Sequence, residues 1–155
     1  MKNNKKLDWA LLILRVGLAT VFLLFGFQKL SSPSQTTSEI QLILNFLGLG
    51  TASAINFYLG LTEIAVGIAL ITGIKVRLFG GIAAFFTAMF FGSFLIKFGV
   101  SINPDIYRDI GLTTAGIAIA ILGGGNFTLP QIWRRSDRSD LSRKEQNNKT
   151  ENGLP

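Results

Sequence analysis

Long apolar segments alternate with short polar ones along this chain. The first apolar segment covers residues 9–27 and is interrupted only by Arg15. Three more cover residues 55–74, 78–98 and 105–122. Because a helix of about 20 apolar residues crosses the hydrocarbon core of a bilayer, the pattern predicts four transmembrane helices, the fourth of marginal length.

The segments between these helices indicate where each helix begins and ends. A polar loop at 31–38 precedes an apolar stretch at 40–47 that is too short to cross a bilayer. Asn-Pro-Asp at 103–105 is typical of a helix start, and the three glycines at 123–125 are typical of a helix stop. The predicted fold class is therefore all-α: an integral membrane four-helix bundle with a short interfacial helix between helices 1 and 2.

The charge distribution predicts the membrane topology. Eleven lysines and arginines belong to the N terminus, the turn between helices 2 and 3, and the C-terminal tail, against three at the opposite helix ends. Positive charge favours the cytoplasmic side, so both termini should be cytoplasmic. Residues 1–133 form the predicted transmembrane domain, and the polar composition of residues 134–155 predicts a disordered basic tail.

Composition limits the chemistry that this chain can perform. Charged residues make up 15% of the sequence, below the roughly 25% of soluble domains. Cysteine and histidine are absent and methionine occurs twice, which excludes a thiol pair, a zinc site or a histidine-ligated haem. Any redox chemistry must therefore belong to a bound ligand or a partner. The net charge of +6 comes from basic residues at helix ends and in the tails, as membrane topology requires, and not from a patch that would bind nucleic acid. No nucleic-acid partner is therefore expected.

Small residues predict how the third helix packs. Lipid tails are as apolar as leucine, so close helix contacts depend on small side chains. Residues of this kind recur at every fourth position of helix 3, where they form one stripe: Gly80, Ala84, Ala88 and Gly92. The stripe could pack within one chain or join two chains in a homo-oligomer.

Charged and polar residues inside the predicted helices are the candidate functional residues. Inserting one charge costs about 2.5–3.5 kcal/mol, so such residues usually have a role. They share helix faces with glycine or alanine, which mark the side that contacts other helices. The candidates for ligand binding or proton relay are Arg15, Lys29, Glu63, Asp109 and Asn56.

These charges are expected to pair inside the bundle. At 1.5 Å of rise per residue, Arg15 and Glu63 differ in depth by roughly 7 Å, within reach of an arginine side chain. We therefore predict an Arg15–Glu63 pair deep in the bundle. A Lys29–Asp109 contact is predicted near the outer mouth. A structural role is open for each residue, since a buried pair can fix helix register and Lys29 can reach the interface. The other cations at helix ends are interpreted as topology charges: Lys75, Lys97 and Arg108.

Three segments resemble one protein family in the same order. LLILRVGLATVFLLFGFQKL resembles the opening of DoxX-family membrane proteins, with an early arginine and a final lysine-leucine pair. LGLTEIAVGIALITGIKVRLFG resembles the second signature of that family, and RDIGLTTAGIAIAILGGGNFTL resembles its last helix. The resemblance covers about residues 9–129. The positions it carries over are Arg15, Lys29, Glu63, Arg77 and Asp109.

The resemblance implies a four-helix bundle in a bacterial or archaeal inner membrane. Members of the family are linked to quinone-dependent oxidation, including a subunit of a terminal quinol oxidase or thiosulfate:quinone oxidoreductase, and to oxidative-stress complexes. It therefore implies a quinone-like ligand, with no covalently bound cofactor, and a redox partner protein. Whether the chain itself is catalytic stays open.

Two other functions are compatible with the same residues. In a small proton-coupled transporter, Glu63 would take up a proton or bind a cationic substrate. In a membrane scaffold, the basic tail would hold a soluble partner. The residues alone do not choose among these three functions.

Overall fold

The computed structural model describes residues 5–35, 40–41, 44–45, 48, 51–98, 104–131, 133, 138, 144–148 and 153. Within these ranges the chain is helical and contains no strand. Four long helices follow one another in these ranges: α1 (Lys5–Ser31), α2 (Ala52–Thr72), α3 (Val76–Phe98) and α4 (Pro104–Leu122).

Three of these helices are long and apolar enough to cross a membrane. They are α1, α2 and the part of α3 that ends at Ile96, judged by length and composition. The predicted transmembrane helices are thus confirmed for these three. In α4 the charged residues Asp105, Arg108 and Asp109 lie near the start, which leaves an uncharged stretch shorter than the roughly 20 residues of a typical span.

The helix ends follow local sequence signals. Helix α2 starts three residues before the predicted position because the Thr51 side chain caps it by accepting a hydrogen bond from the Ala54 amide, at 3.3 Å. It ends at Gly73, whose positive φ of 78° suits glycine. Helix α4 begins at Pro104, as predicted. Gly123, at φ 83°, donates to the Ile119 carbonyl at 2.8 Å and ends it, which confirms the predicted helix stop.

The predicted interfacial helix lies only partly within the described residues. Ile40, Gln41, Leu44 and Asn45 are helical, and the Gly48 amide donates to the Leu44 carbonyl at 3.0 Å. Ile40 is fully buried in a cluster with Leu59 of α2 and Phe90 of α3. The remaining residues of this segment lie outside the described residues, so the interfacial helix stays a prediction.

Most of the C-terminal tail also lies outside the described residues. Residues 144–148 are helical and exposed. The predicted disorder of residues 134–155 is not tested by these few residues. The candidate site described below does not involve them.

The helices pack as two antiparallel pairs. Helix α1 lies along α2, and α3 lies along α4, while smaller contacts join α2 to α3 and α1 to α4. Apolar side chains from all four helices fill the centre: Leu18, Ala19, Phe22, Val66, Leu70, Val76, Ala83 and Ile119. Apolar side chains on the outer faces are exposed, as a lipid environment requires.

Glycines allow α1 and α2 to approach closely. A Cβ built at Gly26 would lie 2.8 Å from the Gly60 carbonyl oxygen, and one at Gly67 would lie 3.1 Å from the Ala19 carbonyl oxygen. A methyl group at either position would meet backbone atoms of the other helix. Because Gly26 and Gly67 have no side chain, the two helix axes can lie close together.

The small-residue stripe of α3 packs partly within the chain. A Cβ at Gly80 would lie 2.8 Å from Ile119 of α4, and one at Gly116 would lie 2.9 Å from the Ala84 amide. Ala88 is half-buried, and nothing lies within 4 Å of a Cβ at Gly92. The first half of the stripe therefore holds α3 against α4.

Replacing Gly26 by alanine should weaken the contact between α1 and α2. The added methyl group would meet the Gly60 carbonyl oxygen at 2.8 Å and Cγ1 of Ile64 at 2.7 Å, so the helices must separate. We expect the free energy of unfolding to fall by about 1–3 kcal/mol, measured by denaturant unfolding in detergent micelles. Gly17→Ala on the same helix is the control, because nothing lies within 4 Å of its Cβ. Equal losses in both variants would contradict this packing.

Candidate functional site

One cleft brings together side chains from all four helices. The cleft is partly open to its surroundings. Aromatic and aliphatic side chains form most of its walls, and four charged side chains and one threonine provide its polar groups. The lining residues are Val21, Phe22, Phe25, Lys29, Glu63, Phe86, Thr87, Phe90, Arg108, Asp109 and Leu112.

A buried ion pair joins α1 to α2 in this cleft. Lys29 Nζ donates to both carboxylate oxygens of Glu63, at 2.7 and 3.0 Å. The side chains are only 9% and 10% exposed. Two short charge-assisted bonds to one carboxylate are among the stronger hydrogen bonds that proteins form. The pair therefore fixes the depth of α1 relative to α2.

A second ion pair lies on α4, and its arginine contacts the same phenylalanine ring as Lys29. Arg108 Nε donates to Asp109 Oδ1 at 2.9 Å. The Asp109 side chain is 5% exposed, and that of Arg108 is 31% exposed. Lys29 Nζ lies 5.4 Å and Arg108 Cζ lies 4.7 Å from the centre of the Phe25 ring. Both distances fall in the range of cation–π contacts, so Phe25 links the two ion pairs.

Hydroxyl groups form a polar contact between α3 and α4 beside the cleft. Thr113 Oγ1 lies 2.9 Å from Thr87 Oγ1 and 2.7 Å from the Asp109 carbonyl oxygen. Thr87 Oγ1 also donates to the Ala83 carbonyl oxygen at 2.9 Å. The Thr87 proton therefore has acceptors within the protein, and toward a ligand this hydroxyl can only accept.

The predicted Arg15–Glu63 pair is wrong. Arg15 is fully buried, but its guanidinium donates to backbone carbonyls rather than to a carboxylate. Nε reaches Leu70 O at 3.0 Å, and Nη2 reaches Ile71 O at 3.2 Å, near the C-terminal end of α2. Nη1 reaches the Gly124 and Phe127 carbonyls in the loop after α4, at 2.6 and 3.1 Å.

Side-chain direction explains the difference. In a helix the Cα–Cβ bond tilts toward the N terminus. The Arg15 side chain therefore points away from Glu63, toward the end of α2, whose last carbonyls lack partners in their own helix. The Lys29 side chain points back along α1, deeper into the molecule, where Glu63 lies. A positive charge beside the C-terminal end of α2 is also favoured by the helix dipole.

The Asp8 carboxylate also holds the loop after α4, at the same end of the molecule as Arg15. Asp8 accepts hydrogen bonds from the backbone amide of Asn126 at 3.0 Å and from its side-chain amide at 2.8 Å. The rings of Trp9 and Phe127 lie 5.0 Å apart. These contacts and those of Arg15 attach the loop after α4 to α1 and α2, which closes the end opposite the cleft.

Asn56 lies outside the cleft lining. It is 2% exposed, and Nδ2 donates to the carbonyl oxygens of Pro33 and Gln35, at 2.8 and 2.7 Å. These bonds hold the loop after α1 against the start of α2. The structure therefore gives Asn56 a structural contact instead of a place in the cleft.

Of the five predicted candidates, three line the cleft: Lys29, Glu63 and Asp109. The predicted Lys29–Asp109 contact stays a prediction, because the bonds described for Lys29 go to Glu63. Arg108 was interpreted as a topology charge, yet it lines the cleft too. The signal in the sequence was the adjacent Asp109, because an arginine side chain is long enough to reach a neighbouring position around the helix.

Comparison with known proteins identifies a family. The model of the DoxX family matches residues 10–101. No curated protein and no solved structure matches the chain. The match includes most of α1 and all of α2 and α3, and it stops before α4. Residues 108–129, the third segment of the resemblance, lie beyond it.

Arg15→Lys should destabilise the protein even though it keeps the charge. The lysine ammonium is a single point with three donors, whereas the guanidinium presents five donors in a planar fork that reaches α2 and the loop after α4 together. We expect the free energy of unfolding to fall by about 3 kcal/mol, since buried carbonyls lose their donors. Denaturant unfolding in detergent measures it.

The control is Arg77→Lys, the same exchange at an exposed position of α3. Its unfolding free energy should stay within about 0.5 kcal/mol of the unmodified chain. An Arg15→Lys variant as stable as this control would contradict the role given to the guanidinium.

Proposed function

The chain belongs to the DoxX family of membrane proteins, and from this premise we propose that it binds a quinone-like ligand in the cleft and acts with a redox partner protein. The observation that carries the proposal is the composition of the cleft. Two cations and two carboxylates meet four phenylalanines at one open site: Lys29, Arg108, Glu63, Asp109, Phe22, Phe25, Phe86 and Phe90.

The chemistry of a quinone fits this set of groups. Its ring and tail are apolar, and aromatic side chains hold rings by stacked or edge contacts. Its carbonyl oxygens accept hydrogen bonds, which Lys29 and Arg108 can donate. The reduced form carries hydroxyl groups, for which Glu63, Asp109 and the Thr87 hydroxyl are acceptors. Electrons from such a ligand would pass to a partner, because the chain has neither cysteine nor histidine.

We place the protein in a bacterial or archaeal inner membrane as a four-helix bundle with both termini cytoplasmic. The start of α1, the turn after α2 and the loop after α4 lie at one end of the molecule, where Lys5, Lys6, Lys75 and Arg77 are exposed. Positive charge at this end supports a cytoplasmic orientation. The cleft would then open in the outer half of the bilayer, within reach of a membrane-dissolved ligand.

A transport pathway has less support than a binding cleft. The Arg15 bonds to α2 and to the loop after α4 fill the end opposite the cleft. A substrate crossing the membrane inside one chain would have to break them. The scaffold function depends on the tail, most of which lies outside the described residues.

Phe25→Leu should weaken quinone binding without changing any charge. The variant removes the ring between the two ion pairs, and aromatic contacts contribute about 0.5–1.5 kcal/mol beyond area burial. We therefore expect a rise of about three- to tenfold in the dissociation constant of a short-tailed benzoquinone. Calorimetric titration of the protein in lipid nanodiscs measures it.

Phe27→Leu is the matched control, because Phe27 is on the same helix and 59% exposed. Its binding should equal that of the unmodified chain. If the unmodified chain binds no quinone and none co-purifies on native mass spectrometry, the proposed function is wrong. Substrate flux into proteoliposomes that disappears in Glu63→Gln would favour the transporter instead.

A further inference from the structure

The cleft combines two features that would normally attract acidic lipids. Its walls are apolar and suit an acyl chain as well as a quinone tail. Two of its polar groups are cations, and an arginine binds carboxylates and phosphates with parallel hydrogen bonds. Membranes contain anionic amphiphiles among their lipids. Wall shape alone therefore cannot keep fatty acids out of this site.

The two carboxylates cancel these cations at close range. Glu63 lies 2.7 Å from Lys29 Nζ, and Asp109 Oδ1 lies 2.9 Å from Arg108 Nε. Glu63 and Asp109 are 8% and 3% exposed. The four described charges of the cleft thus sum to zero. Charges interact several times more strongly in a partly buried site than in water. The zero net charge of the cleft should therefore decide whether a charged ligand can bind.

We propose that Glu63 and Asp109 are specificity-determining residues that exclude anionic amphiphiles and restrict the cleft to uncharged ligands. The inference rests on the proposed function in that it concerns the same cleft and narrows its ligand class. An added carboxylate would face two acids that already hold the cations. An uncharged carbonyl or hydroxyl group meets both donors and acceptors without adding charge.

Removing one acid should convert the cleft into an anion site. In Glu63→Gln or Asp109→Asn the net charge of the cleft becomes positive. We expect the affinity for a fluorescent fatty acid to rise at least about tenfold in either variant, measured by titration into nanodiscs of uncharged lipid. Two variants are used because a buried substitution can impair folding, and one folded variant suffices for the test.

Asp8→Asn is the matched control. It changes the total charge of the protein by the same amount, but Asp8 lies at the opposite end, bonded to Asn126. Its fatty-acid affinity should equal that of the unmodified chain. A gain in Asp8→Asn as large as in Glu63→Gln would overturn the proposal, because the effect would then come from total charge.

A double variant separates charge from shape. The double variant Lys29→Gln/Glu63→Gln keeps glutamine in place of Glu63 but makes the net charge of the cleft zero again. The increase in fatty-acid affinity expected in Glu63→Gln should therefore disappear. The methyl ester of the same fatty acid carries no charge and should show no comparable gain in any variant. Persistence of the gain in the double variant, or an equal gain for the ester, would overturn the proposal.

Quinone titration of the same samples distinguishes the two proposals. Quinone binding without any gain in fatty-acid affinity in Glu63→Gln and Asp109→Asn would overturn the charge selectivity alone. A gain in fatty-acid affinity in a chain that binds no quinone would support the charge selectivity and overturn the proposed function.

Discussion

The close approach of α1 and α2 is the constraint on which the rest of the structure depends. Lipid offers little hydrophobic drive for helix association, so contact relies on small residues. Gly26 and Gly60 face each other, and a Cβ at Gly60 would lie 3.2 Å from that of Lys29. The Lys29 stem therefore lies directly over α2, one helical turn from Glu63. A larger residue at either glycine would separate the helices and stretch the ion pair that forms one wall of the cleft.

The structure accommodates its buried cations in two different ways. Arg15 is surrounded by four carbonyl oxygens, which satisfy a planar fork of donors and use backbone groups that cannot move independently. Lys29 and Arg108 instead meet carboxylates, whose side chains can reorient or exchange partners. The carbonyl arrangement suits a fixed end of the molecule. The carboxylate arrangement leaves groups that a ligand can use, and the open cleft lies at that end.

The sequence pattern predicted the helices within a few residues and the inward direction of the charges, because both follow from helical periodicity. It paired Arg15 with Glu63 because depth was counted along the helix axes without the tilt of side chains toward each N terminus. Arg108 was missed since neighbouring positions do not share a helix face, while a long side chain can reach back around the helix. The Asn56 partners are loop carbonyls, and loop conformation has no periodic signal.

The ion pairs also bear on how such a chain enters a membrane. Lys29 and Glu63 belong to the α1–α2 pair, while Arg108 and Asp109 belong to α4, beyond the residues that the family model matches. Each antiparallel pair of helices therefore carries its own neutralised charges into the cleft. An unpaired charge in hydrocarbon costs several kcal/mol, and removing one partner of a buried pair is more destabilising than removing both. Charge neutrality within each helix pair lowers the cost of bringing these residues into the membrane, and Phe25 and the central apolar residues join the two pairs.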